Sequence, residues 1–124
     1  MTQKNLDKFF DSYPSPYPFD VSKRIKEGYR ECFDLFEEFK LIFPEKNSDY
    51  SNISNVLILG CGHVEGLYHS IRNPKINFDC IDISSNAILS AKENSDNLKL
   101  KNVNFQIHDI TSYSSETKYD VIFA

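Results

Sequence analysis

The chain has 124 residues, 40% of them hydrophobic and 26% charged, with 4 Gly and 5 Pro, a composition that suits one globular domain and leaves no room for two. Its 14 Lys and Arg against 18 Asp and Glu give a formal net charge of -4, which argues against a bulk electrostatic grip on nucleic acid. No apolar run approaches the roughly 20 residues of a membrane-spanning helix, and Met1-Thr2-Gln3-Lys4-Asn5 lacks the apolar core of a secretion signal, so no membrane partner and a cytoplasmic location are expected.

Near the N-terminus, Tyr13-Pro14-Ser15-Pro16-Tyr17-Pro18-Phe19 cannot be helical, because its prolines fix the backbone torsion; it reads as an extended strap over apolar surface or over a ligand. A helix follows, with Ile25, Tyr29, Cys32, Phe33, Phe36 and Phe39 on its apolar face and Lys23, Lys26, Glu27, Asp34 and Lys40 opposite. Asp20 is its expected N-cap and Pro44 its stop. Residues 44–55 are rich in Asn, Ser and Asp and form a turn-rich linker, which divides an N-terminal helical region (1–54) from an α/β region (55–124).

Val56-Leu57-Ile58-Leu59 is an unbroken apolar run, the pattern of a strand buried on both faces. A short helix is expected from Glu65 to Ile71, closed by Asn73-Pro74, and then a strand over residues 77–83. Ser84 or Ser85 caps a further helix that runs to about Leu98, with Ala87, Ile88, Leu89 and Ala91 facing inward. An edge-like strand over 103–107 and a fourth strand over 119–123 complete the pattern. Strands alternating with helices imply a parallel sheet of Rossmann-like α/β type.

The chemistry is concentrated in Leu59-Gly60-Cys61-Gly62-His63-Val64-Glu65-Gly66, where a buried strand turns into a helix. Such a turn needs torsions and close approaches that side chains block, and the helix start offers unpaired N–H groups to a ligand. Asp82, twenty positions beyond Gly62 and at the end of the next strand, is placed to accept both hydroxyl hydrogens of a ribose. The three cysteines, Cys32, Cys61 and Cys80, have neither disulfide nor zinc spacing and read as reduced thiols, with Cys32 and Cys80 packed in the core. His69 and His108 carry no metal-ligand spacing, and His63 is better suited to packing or surface than to base catalysis.

Leu-Gly-Cys-Gly at 59–62, Ile-Asp-Ile-Ser at 81–84, His-Asp-Ile at 108–110 and Tyr-Asp-Val-Ile at 119–122 resemble, in order and spacing, the successive motifs of class I S-adenosylmethionine-dependent methyltransferases. The resemblance covers about residues 55–124. It implies a cofactor, S-adenosyl-L-methionine, with the backbone of Gly60, Cys61 and Gly62 against its methionine and ribose, and Asp82 on the ribose hydroxyls. It further implies Ile83 packed on the adenine, with Asp109 and the Ile110 amide reading the adenine edge. A family sheet has seven strands in the order 3-2-1-4-5-7-6, so this chain is expected to supply the 3-2-1-4 half, as a truncated product or fragment whose acceptor and catalytic residues are unknown. Strand four would then be an exposed edge open to self-association.

The chain departs from the family where His63-Val64 follow Gly62 in place of a small residue and glycine. A β-branched Val64 resists positive torsion and is expected to add bulk beside the cofactor. Two other readings stay open on residues alone. Gly60, Gly62, Gly66 and Asp82 also suit an NAD(P)-binding oxidoreductase fragment, against which Asp109 speaks, and the half-domain could serve as a non-catalytic interaction module.

Overall fold

The computed structural model describes residues 6, 8, 35–44 and 50–124; the proline strap, Cys32 and the helix expected over 21–34 lie outside them. The first described helix is α1, Leu35–Ile42. It stops ahead of Pro44, whose ring disfavours helical torsions at Phe43. Phe39 packs against the core and stacks on Phe43 with ring centroids 6.3 Å apart, while Lys40 points outward and pairs with Glu37 at 3.1 Å.

A 3-10 turn at Tyr50–Asn52 leads into β1 (Asn55–Leu59), followed by α2 (Glu65–Arg72), β2 (Asn77–Asp82), α3 (Ser85–Asn97), β3 (Val103–Ile107) and β4 (Val121–Phe123). The four strands pair in parallel, as the alternating pattern implied, and in the order β3-β2-β1-β4 that the family resemblance implied. Register aligns Phe105, Cys80, Ile58 and Phe123 in one row across the sheet and Val103, Phe78, Val56 and Val121 in the next. Those rows join Leu67 and Tyr68 of α2 and Ile88 and Ala91 of α3 in a single core. Both helices therefore cover the same face, as right-handed crossovers in one direction require.

The helix-to-sheet distance is set by Gly66. A Cβ there would lie 2.5 Å from Cys80 Sγ and 2.9 Å from Phe105 Cε1, so only glycine lets α2 approach the sheet this closely. Cys61 and Cys80 are both buried free thiols, as expected for reduced cysteines. A hydrogen bond with Cys61, and then burial, push the Cys80 thiol pKa up, which keeps it protonated and inert.

Ser84 caps α3, its Oγ accepting from Ala87 N at 3.2 Å. Ala87, Ile88, Ala91 and Ser95 are buried, but Leu89 is 59% exposed, which corrects its assignment to the inner face. At about 100° per residue, the 88-91-95 stripe leaves position 89 turned away. The helix closes by a left-handed residue, Lys99 (φ 56), with Leu100 N donating to Ser95 O and Lys99 N to Asp96 O. That is the Schellman pattern with lysine where glycine is usual.

β4 begins at Val121, two residues later than the apolar pattern suggested, because Tyr119 and Asp120 are engaged elsewhere. The Asp120 carboxylate accepts from Ser54 N at 2.8 Å and Asn55 N at 3.0 Å, clipping the entry of β4 to that of β1 and holding its own pKa below the usual range. β2 likewise ends at Asp82, one residue before Ile83. No described helix is long and apolar enough to cross a membrane.

His69 is buried on α2, stacked on Phe78 (5.9 Å) and Phe123 (5.3 Å). Burial lowers its pKa and raises that of Glu65, whose carboxylate lies 3.9 Å from Nε2, beyond hydrogen-bond reach.

Two expectations follow from this packing. Gly66→Ala should lower stability by about 1–3 kcal/mol through overpacking, whereas Lys99→Gly should raise it by about 1 kcal/mol by relieving the left-handed torsion, both read by urea denaturation. Because the native pKa of His69 is depressed, the unfolded chain binds its proton first, and stability should fall as pH drops through about 6.5 towards the lower native value. His69→Phe should flatten that part of a stability-against-pH curve; an unchanged slope would refute the assignment.

Candidate functional site

At the carboxyl edge of the sheet, β1 ends in a turn whose first two amides, Gly60 N and Cys61 N, both donate to Ile81 O of β2, at 2.7 and 3.1 Å. Gly60 (φ 75) and Gly62 (φ 58) hold left-handed torsions that other residues rarely adopt. Asp82 fixes the turn from β2. Its Oδ2 accepts from Gly62 N at 2.8 Å and its Oδ1 from Ser84 N at 2.9 Å, so one carboxylate joins the glycine turn to the start of α3.

The loop after β3 meets this arrangement from the other side. His108 N donates to Asp82 O at 2.9 Å, and Asp109 Oδ1 accepts from both the amide and the hydroxyl of Thr111 at 2.8 Å. Those two bonds hold the Asp109 pKa below the usual carboxylate range, so the group is anionic at neutral pH. Between the loops lies a hollow of about 310 Å³ lined by Gly60, Asp82, Ile83, Asp109, Ile110 and Thr111, with Leu6 closing it from the N-terminal region.

Five of the seven expected residues, Gly60, Asp82, Ile83, Asp109 and Ile110, thus face one hollow. Cys61 and Gly62 do not line it: Cys61 is 2% exposed and belongs to the core, and the Gly62 amide is turned to Asp82. Leu6 and Thr111 were missed. The Asp109-x-Thr111 spacing, typical of a side-chain-capped turn, was a signal for the second; nothing in the sequence pointed to the first.

The expected obstruction at His63-Val64 is absent. Lys99 is the sole described non-glycine residue with positive φ, and Val64, at φ -131, packs its side chain against the core. The valine bulk goes into the molecule, not into the hollow. His63 is half-buried with no described partner for Nδ1, and no group of three or more described His, Cys, Asp or Glu side chains could hold a metal ion.

A parallel sheet with three strand-end loops around one hollow is shared by several enzyme families, and comparison with known proteins distinguishes among them. The sequence profile of a family described as a methyltransferase domain matches residues 50–124. The chain belongs to the methyltransferase domain family. A nicotinamide oxidoreductase fragment is thereby set aside.

The chain is 35% identical over 112 residues to malonyl-[acyl-carrier protein] O-methyltransferase 2 of Ilyobacter polytropus, covering 82% of this chain and 42% of that protein. It also resembles the plantazolicin methyltransferase BpumL in complex with S-adenosylhomocysteine (SAH), at 32% identity and TM-score 0.53 over 71% of this chain and 31% of that one. Coclaurine N-methyltransferase, at 23% identity and TM-score 0.54 over 69% of this chain and 25% of that one, shares the fold. The chain therefore spans less than half the length of these relatives.

Asp82→Ala would leave two amides, Gly62 N and Ser84 N, without their acceptor. Stability should fall by about 1–3 kcal/mol, with Asp82→Asn intermediate, and the Gly62 amide should exchange with deuterium faster by NMR; protection equal to that of the unsubstituted chain would contradict the bracing role.

Proposed function

We propose that this chain forms the S-adenosylmethionine-binding part of a methyltransferase, whose acceptor is not encoded in the residues described. The observation that carries the reading is the shared hollow: Gly60, the carboxylate-bearing Asp82 and Asp109, and the apolar Ile83 and Ile110 line one space of a size that suits a nucleoside.

The residues present fit that ligand. A carboxylate offers about four lone-pair sites, and the two amides held by Asp82 leave two for ribose hydroxyls. Asp109 uses Oδ1 for Thr111, which leaves Oδ2 for the exocyclic amine of adenine, beside the Ile110 amide. Ile83 supplies an apolar surface for the ring. The backbone at Gly60 offers close approach for the ribose and methionine portion, since no other atoms crowd the space where its Cβ would stand.

When bound, S-adenosylmethionine supplies an electrophilic methyl group on a sulfonium, which is already a good leaving group. The protein then contributes alignment of the acceptor and exclusion of water. In this chain Asp82 holds the ribose, Asp109 fixes the adenine edge, and Leu6 helps close the hollow; no described side chain is assigned the role of base.

A second reading, a non-catalytic module that pairs through β4, is favoured by one observation: Ile122 on that edge strand is 58% exposed. Calorimetry of the chain with SAH and with NADH separates the two. Saturable SAH binding, weakened at least about tenfold by Asp82→Ala and unmatched by NADH, is the expected result. A concentration-dependent dimer in sedimentation with no heat from SAH would replace the methyltransferase reading with the pairing one.

A further inference from the structure

The sheet face away from α2 and α3 carries a row in which Asn104, Asp79, Leu57 and Ile122 are register partners. Asp79 is a half-buried carboxylate on β2, open to side-chain partners from both neighbouring segments. It has two. Asn104 Nδ2 donates to Oδ1 at 3.3 Å, and the Tyr119 hydroxyl donates to Oδ2 at 2.6 Å. Tyr119 precedes β4, and β1 lies between β4 and β2, so its side chain must span β1 to make this bond.

Because the Tyr119 proton is committed to Asp79, its oxygen is left as acceptor, and the Tyr113 hydroxyl stands 3.4 Å away. The Tyr113 ring in turn meets His108 edge-on, with centroids 5.4 Å apart, and His108 Nδ1 lies 2.8 Å from Asp109 O. These contacts run unbroken from the centre of the sheet to the wall of the hollow formed by Asp109, Ile110 and Thr111.

A loop of this length has no helix to fix it between β3 and β4, as residues 108–120 contain only turns and bends. Its inner end is anchored at Asp82 O through His108 N. Its outer end is anchored twice, by the Asp120 backbone and carboxylate at the entry of β1 and by the Tyr119 side chain at Asp79. We infer that Tyr119 and Tyr113, latched to Asp79, are positioning residues that set the Asp109 wall against the Asp82 wall and so determine the selectivity of the site for an adenine base. The inference rests on the cofactor reading above.

The test uses a ligand pair that differs at the base edge alone. SAH carries an exocyclic amine and an acceptor N1 where S-inosylhomocysteine carries a carbonyl and an N1–H, so the ratio of their affinities reports how well the Asp109–Ile110 edge is placed. For the unsubstituted chain, calorimetry should give a preference for SAH of at least about tenfold, since both positions of the base edge are mismatched in the inosine compound. Tyr119→Phe removes one hydroxyl and should bring the ratio to about twofold or less, mainly by weakening SAH. Tyr113→Phe, which loses the longer contact, should lie between. Asp79→Asn keeps a carbonyl acceptor for Tyr119 and should retain most of the preference.

A merely structural role would lower stability and weaken both ligands together, leaving the ratio unchanged. An unchanged ratio in both tyrosine variants therefore overturns the inference alone. Failure of the unsubstituted chain to bind either compound overturns the cofactor reading and the inference with it.

Discussion

Asp82 holds the carboxyl edge of this sheet together. Its two carboxylate oxygens take the amides of Gly62 and Ser84, and its own carbonyl takes the amide of His108. Three loops that follow three different strands are thus fastened to one residue. A carboxylate is suited to the role because it accepts from several donors without competing as a donor itself. The hollow beside Gly60 exists because these loops are held at fixed separation, and a ligand that uses the remaining lone pairs of Asp82 would meet a site already organised.

The two faces of the sheet solve different problems. On one, Phe105, Cys80 and Ile58 sit under α2 and α3, and Gly66 lets the helix descend until its backbone meets Cys80 and Phe105. Close packing of apolar groups stabilises that face. On the other, Asp79 and Asn104 stand in a row with Leu57, which is 5% exposed. The Tyr119 hydroxyl donates to the half-buried Asp79 and so ties down the β3–β4 connection, fastening the loop that walls the hollow to the sheet.

Much of this architecture was legible because it rests on local rules. The unbroken run Val56 to Leu59 announced a strand buried on both faces, Ser84 announced the start of α3, and Gly60 with Gly62 announced left-handed torsions at the strand tip. The strand order and five of the residues around the hollow followed from those signals together with the family resemblance. What could not be seen was set by contacts between distant segments. Leu89 fell on the wrong face because an Ala-Ile-Leu run does not fix the phase of a helix; the sheet does. β4 looked longer because Tyr119 is apolar enough to extend the pattern, while its hydroxyl was in fact wanted by a carboxylate 40 residues earlier. His69 looked ordinary, and only register reveals that Phe78 and Phe123 sandwich it.

The departure at His63-Val64 shows what a glycine motif specifies. In this chain left-handed torsion is required at positions 60 and 62, and close approach of helix to sheet at 66. Positions 63 and 64 lie between these demands, neither with positive φ, and a β-branched residue costs nothing special there. Val64 goes further and fills space against the core that a smaller residue would leave open. Glycine is needed where torsion or contact excludes a Cβ, so the letters of a motif can vary at positions where neither does. The fold places the hollow through torsion and hydrogen bonding at Gly60, Gly62 and Asp82, and that placement is independent of which side chains follow in the next half-turn.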